Sequence, residues 1–331
     1  MKLRTVLTLL LCCAALTSCS SVQNSEKQTK SVFAMDTVMD FTAYGENAAE
    51  VLNKAEAEAK RLDALLSRGS EGSEIYKLNQ SGSGTNAETA GIIRSALDIS
   101  SQTDGAFDIT IAPVMDLWGF FTKDFHVPSN EELKNALKKV NYKNVTANGD
   151  TIKLNGGAQL DLGGIAKGYL SGRMIDIFKE SGVKSAIISL GGNVQCLGTK
   201  PDGTPWKIAI QHPSGDGFIG TLSAADTAVI TSGGYQRFFE RDGTVYHHII
   251  DPKTGTSAHS GLKSVTIITP DSTRADGLST AVFVMGLEKA TELWRGVKDF
   301  DMVLMTDDDK VYVTDGIAKD FKSEFEVKVI D

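Results

Sequence analysis

Only four cysteines occur in these 331 residues, and their placement excludes a disulfide framework. Cys12 and Cys13 fall in an N-terminal leader, Cys19 closes it, and Cys196 stands alone. No apolar run after residue 30 is long enough to cross a bilayer as a helix. Positive charge is also short, with 34 Lys and Arg against 42 Asp and Glu and a formal net charge of −8. That balance excludes nucleic-acid binding by bulk electrostatics. No His or Cys shows zinc-ligand spacing, no GxSxG marks a serine hydrolase, and no internal repeat is visible. Aromatics are just 7% of the chain, yet 41% of residues are hydrophobic, enough for a substantial core.

The leader itself is informative. Lys2 and Arg4 precede an apolar run from Val6 to Leu16, and Leu16-Thr17-Ser18-Cys19 follows. The order of basic start, short apolar run and small residues predicts a signal peptide over 1–18. Its end resembles a bacterial lipoprotein box, with cleavage before Cys19 and lipid on that cysteine; an ordinary secretory signal is the alternative. Residues 19–30 are polar and read as a lipidated tether, leaving 31–331 as the folded domain. Loss of Lys2 and Arg4 would take the net charge to −10. The expected location is membrane-anchored, facing the periplasm or cell exterior; Ser20, rather than Asp, after Cys19 argues against retention at the inner membrane.

Patterning predicts an α+β fold, a single compact mixed domain in two lobes with the site in a cleft between them. Odd positions from Phe33 to Ala43 alternate with more polar neighbours and read as one half-buried strand. Residues 47–66 carry Val51, Leu52, Ala55, Ala59, Leu62 and Leu66 at helical spacing. Further helices are predicted over 88–102, from Ser129 with Glu132 completing a capping box, and over 169–180. Asn148-Gly149 marks a hairpin. Strands are predicted at 186–190, 206–211, 219–223, 226–231, 244–250 and 264–269, then helices over 274–285 and 287–296 and a hairpin over 301–314.

Two segments carry phosphate and metal chemistry. LDLGGIAKG, residues 160–168, is a Gly-rich turn into a helix, whose free N–H groups and dipole suit phosphate. It fits neither GxxxxGK[ST] nor GxGxxG, and such turns also occur without a ligand. RADGLST sets Asp276 and Thr280 four apart, which on a helix places a carboxylate and a hydroxyl on one face as hard ligands for a small divalent cation. The apolar run from Ala281 to Val284 makes that helix buried, so Asp276 needs a cation or donor partner. In TVYHHIID, alternation points His247 and His248 to opposite faces, so one of them can face a cleft. GAFDITIAPVMDLWGF reads by composition as core.

In order, Met35-Asp36-Thr37 with Tyr44-Gly45, SEIYKLN, GAFDITIAPVMDLWGF, LDLGGIAKGY, SLGGNV, TSGGYQRFF, HIIDPKTG, SVTIITP and ADGLSTAVFVMG resemble the ApbE-type flavin transferase family from about residue 32 to 310. The resemblance implies an architecture related to the T-fold and the activity of an FAD:protein FMN transferase. It implies Mg2+ held by Asp276, Thr280 and the Gly164 carbonyl, with Asp276 and His248 in the chemistry. FAD, as substrate, would touch Met35, Ala106, Phe107, Asp108, Asp161, Lys167 and Ile250, so the aromatic segment would line the flavin nucleotide. Acceptors would be membrane redox-pump subunits or extracytoplasmic flavoproteins with a Ser/Thr motif. Two positions depart from the family pattern: Asp36 stands where many members have Gly, and Gly69 where an aromatic often touches the flavin. Magnesium-dependent FAD hydrolysis to FMN and AMP, and an FAD-holding lipoprotein without catalysis, are the alternatives.

Overall fold

The computed structural model describes residues 26–331, so the leader, Cys19 and the start of the tether lie outside the described residues. Nine strands form one open sheet, and they lie across it in the order in which they occur in the chain. They are β1 (Lys27–Ala34), β2 (Thr37–Tyr44), Ser185–Leu190, Asn193–Leu197, Ala228–Ser232, Leu262–Thr269, Asp301–Thr306, Val311–Thr314 and Val327–Ile330. Every pair is antiparallel except the last, which is parallel.

Both faces of the central strands are covered, which explains their unbroken apolar runs. Ile230, Ile267 and Leu304 point into the main core, shared with α1 (Ala48–Leu66), α2 (Glu74–Ser81), α3 (Ala87–Gln102), α6 (Ala166–Glu180) and α7 (Ser272–Val297). Their neighbours Val229, Ile268 and Val303 point the other way, under a small sheet of Trp206–Gln211, Phe218–Ala224 and Phe321–Lys322. A third cluster gathers Trp118, Phe120, Leu133, Phe239 and Ile250. It joins α4 (Ala112–Trp118) and α5 (Asn130–Leu137) to the hairpin Phe238–Arg241/Thr244–His247. Phe125 stacks on Phe239 at 4.8 Å, and Trp118 Nε1 donates to Gly255 O at 2.7 Å. This aromatic cap faces the sheet and its helices across the cleft.

Several predicted elements recur with small boundary shifts, including α1, α3 and the capping box of Ser129 with Glu132. Others differ. The strand expected from Phe33 to Ala43 is a hairpin, turned at Met35 and Asp36 with φ of 48° and 59°. Buried parity flips there, from Val32 and Ala34 to Met39, Phe41 and Ala43, which leaves Phe33 in water. A one-residue slip of β2 would expose Met39 and Phe41 at about 1.5–3 kcal/mol each, so register is firmly set. β1 also starts at Lys27, inside the stretch assigned to a tether. The strand expected to reach residue 250 ends at His247, opposite Phe238 where its partner begins; beyond it Ile250 bridges to Ser257. The two helices expected over 274–285 and 287–296 are present: Ser272–Val297 is two helical segments that meet at Gly286, whose φ of 79° and ψ of 173° are not helical.

Candidate active site

The N-terminal half of α7 forms the floor. Asp271 caps it by accepting from Arg274 N at 3.0 Å. One turn on, the buried Asp276 carboxylate accepts from Gly168 N at 2.7 Å through Oδ2 and from Asn193 Nδ2 at 2.9 Å through Oδ1. Asp276 thus joins α6, α7 and the first residue of the strand Asn193–Leu197. The joint is tight because residue 168 has no side chain: a Cβ there would lie 2.2 Å from Ser272 O and 2.6 Å from Asp276 Cβ. Ser272 Oγ donates to Gly168 O at 2.8 Å, completing the clasp.

The 160s turn delivers α6 to this floor. Asp161 Oδ1 accepts from Gly163 N at 2.8 Å, an Asx turn that orients the two glycines. In the first turn of α6, Ala166 N donates to Leu162 O at 2.9 Å and Gly168 N to Asp276, which leaves the Lys167 N–H, beside Gly163 and Gly164, free to face the cleft. Gly164 packs on Phe107, where a Cβ would come within 2.9 Å of the ring and 3.6 Å of Thr280 Oγ1. Gly164, Thr280 and Asp276 therefore share one corner.

All of these line a cleft of about 1300 Å³. Met35, Ala106, Phe107, Asp108, Asp161, Lys167, His248 and Ile250 line it too, so the structure brings together every predicted site residue within the described residues; Cys19 lies outside them. Phe107 reconciles two readings, since it is buried in the main core and also forms cleft wall. The Asp108 carboxylate is tied inward, accepting from Thr110 N and Oγ1 at 2.8 and 2.6 Å and from Tyr142 N at 2.8 Å. Burial nonetheless raises its pKa, with those bonds opposing.

The paired histidines differ in burial rather than by strand alternation, since the strand ends at His247 and both rings border the cleft. His247 is buried, with Nε2 3.1 Å from Ala258 O and its ring edge-on to Phe283. His248 is half-buried, edge-on to Phe120, with Nδ1 3.1 Å from Arg237 O. A carbonyl only accepts, so Nδ1 carries the proton and Nε2 keeps its lone pair. Burial lowers the His248 pKa to about 3, the bond to Arg237 O opposing and the charge of Arg237 adding to the fall.

Sequence reasoning missed part of the wall. Arg68 is nearly buried, its Nη1 2.7 Å from Asp116 Oδ1 and its Nε 2.9 Å from Asp161 Oδ2. Its guanidinium lies 4.2 Å from the centroid of the Phe121 ring, which also lines the cleft. Gly69 makes room for that ring, since a Cβ would sit 2.2 Å from Phe121 Cζ. The bare glycine next to Arg68 was the available signal. At the mouth, Asp36 accepts from Lys123 at 3.2 Å and from Arg237. Burial would raise its pKa, but the bond from Lys123 and the charges of Arg237 and Lys123 lower it.

Fold and cleft together define a mixed α/β, single-domain protein with hard oxygen donors, a Gly-rich helix N-terminus and aromatic walls around one large cavity, the equipment of a nucleotide-handling enzyme. The family model described as the ApbE family matches residues 35–304. The chain belongs to that family. It is 32% identical to an FAD:protein FMN transferase of Treponema pallidum over 91% of this chain and 90% of that protein. A second such transferase, from Vibrio cholerae, is 34% identical over 66% of this chain and 68% of its own length. Among solved structures, the ApbE protein of Thermotoga maritima superposes with a TM-score of 0.84 at 32% identity, covering 90% of this chain and 100% of that one. The Pseudomonas stutzeri flavinyl transferase ApbE gives 0.77 at 30% identity, covering 85% and 92%.

Proposed function

We propose that this chain moves the FMN part of FAD onto a Ser or Thr hydroxyl of an acceptor protein, forming a phosphoester and releasing AMP, in a magnesium-dependent reaction. The observation that carries this reading is the corner where Asp276, Thr280 and Gly164 meet beside the start of α6. Its donors are all hard oxygens, and each Asp276 oxygen accepts a single protein hydrogen bond, which leaves lone pairs for a cation. Among the described residues no cluster of three His, Cys, Asp or Glu offers a softer metal site. Asp276, Thr280 and the Gly164 carbonyl would hold Mg2+, which when bound offsets negative charge on the diphosphate and the departing phosphate.

The rest is done by the chain. The Lys167 backbone N–H at the start of α6 and the Lys167 ammonium hold the diphosphate, and the walls at Phe107 and Phe121 hold flat rings. His248 Nε2 accepts the proton of the attacking hydroxyl as its oxygen bonds to the FMN phosphorus. The bond from that phosphorus to the oxygen bridging toward AMP breaks, and AMP leaves as a weakly basic phosphate that needs no strong acid. A pKa of about 3 keeps His248 unprotonated at neutral pH before substrate binds. The anionic diphosphate then raises its proton affinity once bound. Extracytoplasmic flavoproteins or membrane redox-pump subunits with a Ser/Thr motif are the acceptors this reading favours. A lipid on Cys19 would hold the enzyme outside the cytoplasm beside them; none of the described helices is long and apolar enough to cross a membrane.

The test incubates full-length protein with FAD, Mg2+ and acceptor, then measures acceptor mass and free AMP. One FMN gained per AMP released supports transfer, whereas AMP without adduct favours hydrolysis. Asp276→Ala should abolish magnesium-dependent turnover; full activity of that variant would refute the metal assignment.

A further inference from the structure

Large apolar side chains left in water concentrate around one ionic contact. Asp36 sits at the tip of the β1–β2 hairpin and accepts from Lys123 and Arg237, so three separate segments meet there. Each brings an exposed apolar residue close to the contact. Phe33 and Val38, 68% and 56% exposed, are cross-strand partners on the rung next to the one that closes the turn. Phe121, 47% exposed, lies two residues before Lys123, and Phe238, 52% exposed, directly follows Arg237.

Single exposed apolar residues are ordinary, but a group gathered on one rim marks a recognition surface. FAD does not account for all of it. Phe121 and Phe238 line the cleft, whereas Phe33 and Val38 lie on the face of their hairpin opposite the buried Val32, Ala34 and Met39 and do not line it. Whatever covers that pair must extend past the cavity edge. The alternation of rings with the half-exposed side chains of Asp36, Lys123 and Arg237 is the mix of apolar and polar groups found in protein interfaces, not the continuous apolar belt that lipid favours.

We propose that this collar is the docking surface for the acceptor polypeptide, whose segment bearing the hydroxyl lies across Phe33, Val38 and Phe238 while the hydroxyl reaches into the cleft. The proposal rests on the FMN-transfer reading, since only a macromolecular acceptor needs such a surface. It deepens that reading by stating where the acceptor binds and that its affinity is set apart from that for FAD.

The test uses detergent-solubilised full-length enzyme with Mg2+ and saturating FAD. The probe is a purified acceptor protein that the wild-type enzyme labels, found beforehand by in-gel flavin fluorescence. Phe33→Ser, Val38→Ser and the pair are compared with wild type. The expected result for the pair is a rise of at least about tenfold in KM for the acceptor, with FAD affinity and acceptor-independent AMP release within about twofold. An unchanged acceptor KM overturns the proposal. So does a wild-type dimer that the pair of substitutions dissociates, or a loss of binding to anionic phospholipid vesicles with KM unaltered. A wild-type enzyme that labels no acceptor at all would instead bring down the transfer reading, so the two failures are told apart.

Discussion

Replacing Gly168 with alanine should damage the site more than any comparably small change elsewhere. The new Cβ would sit 2.2 Å from Ser272 O and 2.6 Å from Asp276 Cβ, against the roughly 3.5–4.0 Å of a relaxed carbon contact. Backbone cannot swing aside as a flexible side chain can, so α6 must move off α7 by about 1 Å or more. That motion breaks two bonds at once, Gly168 N to Asp276 at 2.7 Å and Ser272 Oγ to Gly168 O at 2.8 Å. Overpacking costs about 1–3 kcal/mol, and losing a hydrogen bond to a carboxylate about 1.5–3 kcal/mol. The sum is about 2.5–6 kcal/mol, and at roughly 2–4 °C per kcal/mol the melting temperature should fall by about 5–24 °C. Calorimetry reads the fall, and a magnesium titration of AMP release should show weaker metal dependence. Gly296→Ala is the control: it lies in the helical segment beyond Gly286 with nothing within 4 Å of its Cβ, and it should stabilise by up to about 1 kcal/mol. A Gly168→Ala protein that melts within about 1 °C of wild type with unaltered magnesium dependence would refute the argument.

Gly69→Ala should push the Phe121 ring off Arg68, and Phe121→Ala should remove it; each is expected to weaken FAD binding about fivefold to tenfold by fluorescence titration, with Phe121→Tyr close to wild type. FAD affinity unaltered in both would show that this wall carries no ring. The folded pKa of His248, about 3, lies below the unfolded value of about 6.5, so the unfolded chain takes up the proton first. Its contribution to stability is therefore complete above about pH 6.5 and declines as pH falls toward 3, a slope that melts across pH should show reduced in His248→Gln. The acid limb of kcat/KM for FAD should fall well below pH 6.5, and a limb at or above that value that vanishes in His248→Gln would contradict the burial argument.

Sequence legibility followed the range of the interactions concerned. Helices α1 and α3 and the capping box of α5 are written in local spacing, and the hairpin through Asn148-Gly149 in turn chemistry, so each could be read from a dozen residues. The β1–β2 turn could not, because Met35 and Asp36 adopt positive φ without the Asn-Gly signature, held there by partners 87 and 201 residues away. Helix α4 hid behind its aromatic content, although Pro113 in its first turn was the cue. In the site, Asp276, Thr280 and the 160s turn were legible because each motif fixes its own geometry. Arg68, Phe121 and Asn193 were not, since their roles exist only once distant segments pack.

Asp276 shows why the two halves of the site cannot form separately. Its carboxylate is buried, and neither of its protein partners carries a positive charge: one is the backbone amide of Gly168 and the other the side-chain amide of Asn193. Two neutral donors offset only part of the cost of taking a carboxylate out of water. They fix its direction while leaving negative charge in the corner that Gly164 and Thr280 share. The strand Asn193–Leu197 supplies one donor and α6 the other, so a shift of either element removes both the aim of the carboxylate and the space beside it. Folding thus prepares, before any ligand arrives, a rigid anionic point next to the free Lys167 N–H at the start of α6, a donor suited to phosphate. A cation that binds there would meet a carboxylate already desolvated and held in place, which is where the affinity of the corner for a small divalent ion would come from.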